Sequence, residues 1–186
     1  MSDRKITVES VGPKIEQFLK TMFDKAGFDI KFSIGKATNL HPDFENPEVL
    51  VKFSGHDIDF LLSNKAELML ALEQLTMETL RMSADEHSQL QFDANDYRAL
   101  RIEELRLSAL TAAERVKRSK VPFEFNPMNS RERRIIHLAL RNEPDVRSES
   151  AGMGPYRQVV VYPAGMPSAP VKNRPQPPTR PPGRRR

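Results

Sequence analysis

The chain has 186 residues, 38% hydrophobic and 29% charged, with 15 Pro, 8 Gly and neither Cys nor Trp. That length accommodates one or two small domains and excludes a large enzyme barrel, and the lack of Cys removes disulfide frameworks, thiolate metal sites and cysteine nucleophiles while suiting a reducing, cytoplasmic setting. The net charge of +4 conceals an asymmetry, because residues 1–97 hold 10 Lys and Arg against 17 Asp and Glu, residues 98–162 hold 13 against 8, and residues 163–186 hold six against none, so only the second half attracts polyanions.

After about eight residues expected to fray, Ile15, Phe18, Leu19, Met22, Phe23 and Ala26 recur at helical spacing and predict a helix closed by Gly27. Residues 28–34 then alternate apolar and polar, as a half-buried strand does, and residues 49–53 read as a second strand. A helix pair is predicted over 56–62 and 66–82, with a short strand at Leu90-Gln91-Phe92. A long helix over 95–118 buries Ile102, Leu105, Ala109, Ala112, Ala113 and Val116; it is followed by a strand at 123–125, a helix over 130–141 and strands at 146–150 and 158–162. The intervening segment Ala151–Arg157 has turn chemistry. From Pro163 onward, eight prolines alternate with small, polar and basic residues, a composition that buries no core and predicts a disordered tail. The fold class is therefore α+β: two small modules, residues 9–93 and 94–162, with a basic tail over 163–186.

Few residues offer catalytic or metal chemistry. His41, His56, His87 and His137 lie far apart, none in an HExxH spacing, and no Gly-x-Ser-x-Gly elbow accompanies them, which predicts no metal, no cofactor and no enzyme. No stretch approaches the ~20 apolar residues that span a bilayer, so membrane insertion is not expected.

The densest signal is Asn126 to His137. Asn129 followed by Glu132 has the form of a capping box and marks a helix start. At about 100° per residue, Arg133, His137, Ser130, Arg141 and Arg134 share one arc of about 100°, while Ile135, Ile136 and Ala139 point the other way. Cations beside the free N–H groups of a helix start suit phosphate.

Asn126-Pro127-Met128-Asn129-Ser130-Arg131-Glu132-Arg133-Arg134-Ile135-Ile136-His137 resembles the signature of R-three-H domains, named for an Arg-x-x-x-His element, here Arg133 and His137. The likeness reaches back to Asp96–Arg101 and forward through Arg147–Val160, about residues 93–163 in all. It implies single-stranded nucleic-acid binding, with RNA or single-stranded DNA as ligand. The first half resembles a KH domain, and the KH then R-three-H order is that of the bacterial Jag (KhpB) family, whose members are RNA-binding proteins linked to post-transcriptional control. The resemblance singles out Arg133 and His137 as contacts, the basic face of the helix adds Arg134 and Arg141, and resemblance together with charge puts Arg98, Arg101 and Arg157 in a second tier; the resemblance also implies a homodimer or a heterodimer with a small KH protein. One departure stands out. A binding KH loop needs Gly-x-x-Gly so that phosphate can approach bare backbone, and Ser63-Asn64-Lys65-Ala66 has neither glycine, leaving Lys65 as the one cation there. The first module is accordingly expected to be a degenerate KH fold. The competing reading is a protein-interaction adaptor whose nucleic-acid binding is vestigial.

Overall fold

The computed structural model describes residues 6–37, 44 and 47–168. The basic tail beyond Ser168, His41 and the first five residues lie outside them. The chain divides into two compact units, Met1–Glu104 and Leu105–Arg186.

In the first unit, α1 (Val8–Ala26) starts one residue after Thr7, whose hydroxyl accepts from Ser10 N at 3.2 Å while Ser10 Oγ accepts from Thr7 N at 2.9 Å. This reciprocal cap satisfies two otherwise orphaned N–H groups. Fraying stops earlier than the sequence suggested, because Ile6 is buried at 1% exposure ahead of the cap. Of the predicted stripe, Ile15, Leu19 and Phe23 are buried, joined by Val11, while Phe18 is half-buried and Met22 and Ala26 are exposed because they lie at the edge of the buried face. Gly27 ends the helix at φ +71°, donating to Phe23 O at 2.9 Å.

Strands β1 (Ile30–Lys36) and β2 (Val49–Gly55) pair antiparallel, and β2 pairs parallel with β3 (Leu90–Ala94), giving the order β1-β2-β3. The register sets Phe32 opposite Phe53 and Val51 opposite Phe92. Phe53 packs edge-on against Phe23 at 5.9 Å and Phe92 at 5.2 Å, so α1 and the sheet share one aromatic centre.

Between β2 and β3 runs α2 (Ile58–Thr79), broken where the sequence predicted two helices: Ser63 is extended and Asn64, Lys65 and Ala66 follow at φ +51°, +62° and +58°. Three successive non-glycine residues in the left-handed region carry a steric cost of about 1–2 kcal/mol each. Ala66 is fully buried, and this packing holds the turn in place.

Helix α3 (Tyr97–Ser119) belongs to both units. Its first turn is bound into the first unit by a buried network. Arg98 Nη2 donates to Glu73 Oε2 at 2.6 Å and its Nε to Phe92 O at 2.6 Å; the same Glu73 oxygen accepts from Phe92 N at 2.7 Å, and Asp93 Oδ1 accepts from Arg98 N at 3.1 Å. The two compact units meet inside this helix, after Glu104.

In the second unit, β4 (Phe123–Glu124), β5 (Val146–Ala151) and β6 (Gln158–Pro163) form an antiparallel sheet ordered β4-β6-β5, against which α4 (Ser130–Ala139) packs. Leu105, Ala109, Ala112, Ala113 and Val116 of α3 are buried, as are Ile135, Ile136, Val159 and Val161. Helix α4 stops at Ala139, two residues short of the expected end.

Two substitutions test these features. Glu73→Leu leaves the Arg98 guanidinium buried without its carboxylate and is expected to cost about 3–5 kcal/mol by urea unfolding, part of which Arg98→Leu restores. Lys65→Gly removes a left-handed penalty at an exposed side chain and is expected to stabilise the chain by about 1 kcal/mol on the same assay.

Candidate nucleic-acid interface

The local sequence builds α4 as expected. Asn129 Oδ1 accepts from Glu132 N at 2.9 Å, and Glu132 Oε2 accepts from Asn129 N at 3.3 Å. Upstream, Phe125 N and Met128 N donate to Val159 O and Arg157 O at 2.9 and 3.1 Å, so the helix start is laced to the beginning of β6. Ile135 and Ile136, at 4% and 0% exposure, turn into the core. That fixes the rotation of the helix, because two buried neighbours leave Arg133 and His137 no choice of face.

Those two side chains come to rest over β5. Ser148 and Ser150 project from the same face of that strand, as residues two apart do. His137 Nδ1 lies 2.8 Å from Ser148 Oγ and Nε2 lies 3.0 Å from Ser150 Oγ; Arg133 Nη1 donates to Ser150 Oγ at 3.0 Å. A neutral imidazole satisfies both hydroxyls, donating to one and accepting from the other, in either tautomer. Partial burial, and then the Arg133 guanidinium beside it, hold the His137 pKa below its ordinary value. Burial and the nearby Arg157 act in the same direction on Arg133, which stays charged nonetheless. Arg133 Nε is enclosed and has no hydrogen-bond partner among the described residues.

The remaining predicted residues are distributed unevenly. Arg134 is exposed on α4, Arg157 is exposed at the foot of β6, and Arg141 is exposed but lies beyond the helix end, off the regular arc assumed for it. Arg98 departs from expectation: at 9% exposure it sits in the first unit, committed to Glu73. Arg101 also belongs to the first unit, where its Nη1 pairs with Glu104 at 2.8 Å. Lys65 is exposed on the left-handed turn of α2. Sequence reasoning missed Ser148 and Ser150 as site residues; the available signal was two hydroxyls spaced two apart in a predicted strand.

The arrangement lacks the geometry of a serine hydrolase. A serine nucleophile needs an imidazole made more basic by a carboxylate on its second nitrogen. Here the second nitrogen meets another serine, and the charged neighbour that shifts the ring is an arginine, which makes it less basic. No cluster of three metal-ligating side chains occurs among the described residues.

A capped helix setting an Arg-x-x-x-His pair over a three-stranded antiparallel sheet is an R-three-H domain, and residues 103–163 match the family model of that description. The chain is 29% identical over 153 residues to the RNA-binding protein KhpB of Clostridium symbiosum, covering 82% of this chain and 66% of the relative. It is 32% identical over 129 residues to the RNA-binding protein KhpB of Lactiplantibacillus plantarum, covering 69% and 40%, and 30% identical over 110 residues to that of Bacillus subtilis, covering 58% and 53%. The chain is similar to these KhpB proteins and spans between two fifths and two thirds of their length.

A folded-state pKa below the unfolded one means that the unfolded chain binds the proton more readily, so stability is lost as pH falls below about 6.5. The melting temperature is expected to drop between pH 7 and pH 5 by more in the parent than in His137→Asn, whose side chain carries no titrating proton.

Proposed function

We propose that the chain is a bacterial RNA-binding protein that contacts single-stranded RNA through its second unit and acts in post-transcriptional control. The observation that carries this reading is the cluster of Arg133, His137, Ser148 and Ser150 with Arg157 at its edge. It combines a fixed guanidinium with an imidazole one proton away from a second positive charge. These features suit a phosphodiester, which supplies charge and several acceptor oxygens at once. Arg134 and Arg141 extend the footprint as exposed cations, and the six cations after Pro163 add attraction without sequence preference. Phosphate contacts alone do not distinguish RNA from single-stranded DNA. No helix among the described residues is long and apolar enough to cross a membrane, and the proposed setting is the cytoplasm.

The first unit is read as a KH-like fold. Its order of helix, two strands, a broken helix and a strand suits that assignment, with the break at Ser63–Ala66 standing at the phosphate loop. Without glycine, every residue of that turn carries a Cβ where a phosphate would approach. Its acidic surplus and the exposed Leu68 and Leu75, seven residues apart along α2, favour a protein contact there, with a second copy or a small KH protein.

Fluorescence anisotropy with a single-stranded RNA oligomer over a salt series tests the assignment. Affinity is expected to fall steeply with salt, and Arg133→Ala to weaken binding at least about tenfold and flatten the logarithmic salt slope by about 0.7. A phosphate beside His137 raises its pKa, so binding takes up a proton and affinity should improve from pH 7.5 to 6. An Arg133→Ala, His137→Ala variant that stays folded and binds as tightly as the parent overturns the site.

A further inference from the structure

Immediately beyond Ser150 the sheet turns through Gly152–Arg157, and the turn is built to hold its side chains outward. Gly152 adopts φ +87°, and a Cβ there would lie 2.7 Å from Tyr156 O, so the chain closes on itself only with glycine at that point. Gly154, at φ +53°, opens a single 3-10 turn in which Tyr156 N donates to Met153 O at 3.1 Å and Arg157 N to Gly154 O at 3.2 Å. Ala151 pairs with Gln158 to clamp the ends. The backbone is thus ordered while its two largest apolar side chains are left in solvent, Met153 at 79% and Tyr156 at 52% exposure. The Tyr156 side chain makes no hydrogen bond or ring contact among the described residues.

An exposed aromatic ring on an ordered turn is available to a ligand, and its neighbours decide which ligand fits. No acidic residue lies between Glu149 and the end of the chain, while Arg157 follows Tyr156 directly and stands near enough to Arg133 to affect its ionisation. A chain held by its phosphates at Arg133 and Arg157 must put its bases somewhere, and each base has an apolar face whatever its sequence. We propose that Tyr156, flanked by Met153, is a stacking platform for an unpaired base of the strand whose phosphates Arg133 and Arg157 hold. This inference rests on the RNA-binding reading and adds a base contact to a site otherwise made of phosphate contacts. A tyrosine ring has few torsions to freeze, which keeps the ordering cost of such a contact low.

The test uses the full chain and two single-stranded RNA probes of equal length, one of ordinary adenosine and uridine residues and one abasic throughout, so that charge is constant and bases are not. Tyr156→Ala is expected to weaken binding of the ordinary strand about tenfold and to leave the abasic strand unaffected; Tyr156→Phe keeps the affinity, and Arg133→Ala weakens both strands. The chain has three Tyr and no Trp, so intrinsic emission is tyrosine emission. Its quenching by the ordinary strand should diminish in Tyr156→Phe despite unchanged affinity. Equal binding by the parent and Tyr156→Ala, with Arg133→Ala still impaired, overturns the stacking role alone, as does an equal loss on both strands for Tyr156→Ala. A parent that binds neither strand overturns the RNA reading and this inference with it.

Discussion

A guanidinium and an imidazole cannot both be charged at close range without repelling, and Arg133 and His137 coexist because two hydroxyls of one strand intervene. Ser150 is shared between them, and Ser148 occupies the far side of the ring. The neutral imidazole removes the repulsion while keeping a proton acceptor in place. Everything else in the second unit serves this contact: the isoleucine pair that sets the helix rotation, the capping box that sets where the helix begins, and the strand pairing that brings β5 beneath it.

The first unit handles charge in the opposite way. Glu73 and Arg98 are both nearly buried and neutralise one another; Phe92 N donates to the same Glu73 oxygen, Phe92 O accepts from Arg98 Nε, and Asp93 Oδ1 accepts from the Arg98 backbone N–H. Such a pair contributes little net stability, since desolvation offsets the attraction, but neither partner can be removed cheaply. Its effect is local: it fastens the first turn of α3 to β3 within the first unit. A phosphate-binding arginine must remain unspent, and Arg98 is fully spent.

Much of the architecture was legible because it follows periodicity. Ile15, Leu19 and Phe23, or Ile135 and Ile136, report their faces through spacing alone, and Gly27 and Asn129 mark ends by local chemistry that needs no distant partner. The break in α2 was legible too, although its left-handed backbone was not, since Asn64, Lys65 and Ala66 adopt it under packing around Ala66 rather than by preference.

The amino-acid sequence by itself determined which elements form, where α4 starts, which of its sides is basic and that the positive charge lies in the second half, because these depend on interactions within a few residues. Only tertiary structure decided which arginines remain available. Arg98 and Arg133 look alike in the chain, yet one meets Glu73 twenty-five residues away and the other meets Ser150, a hydroxyl that leaves its charge intact. Whether a cation is neutralised depends on what the fold brings beside it, and no local pattern contains that information.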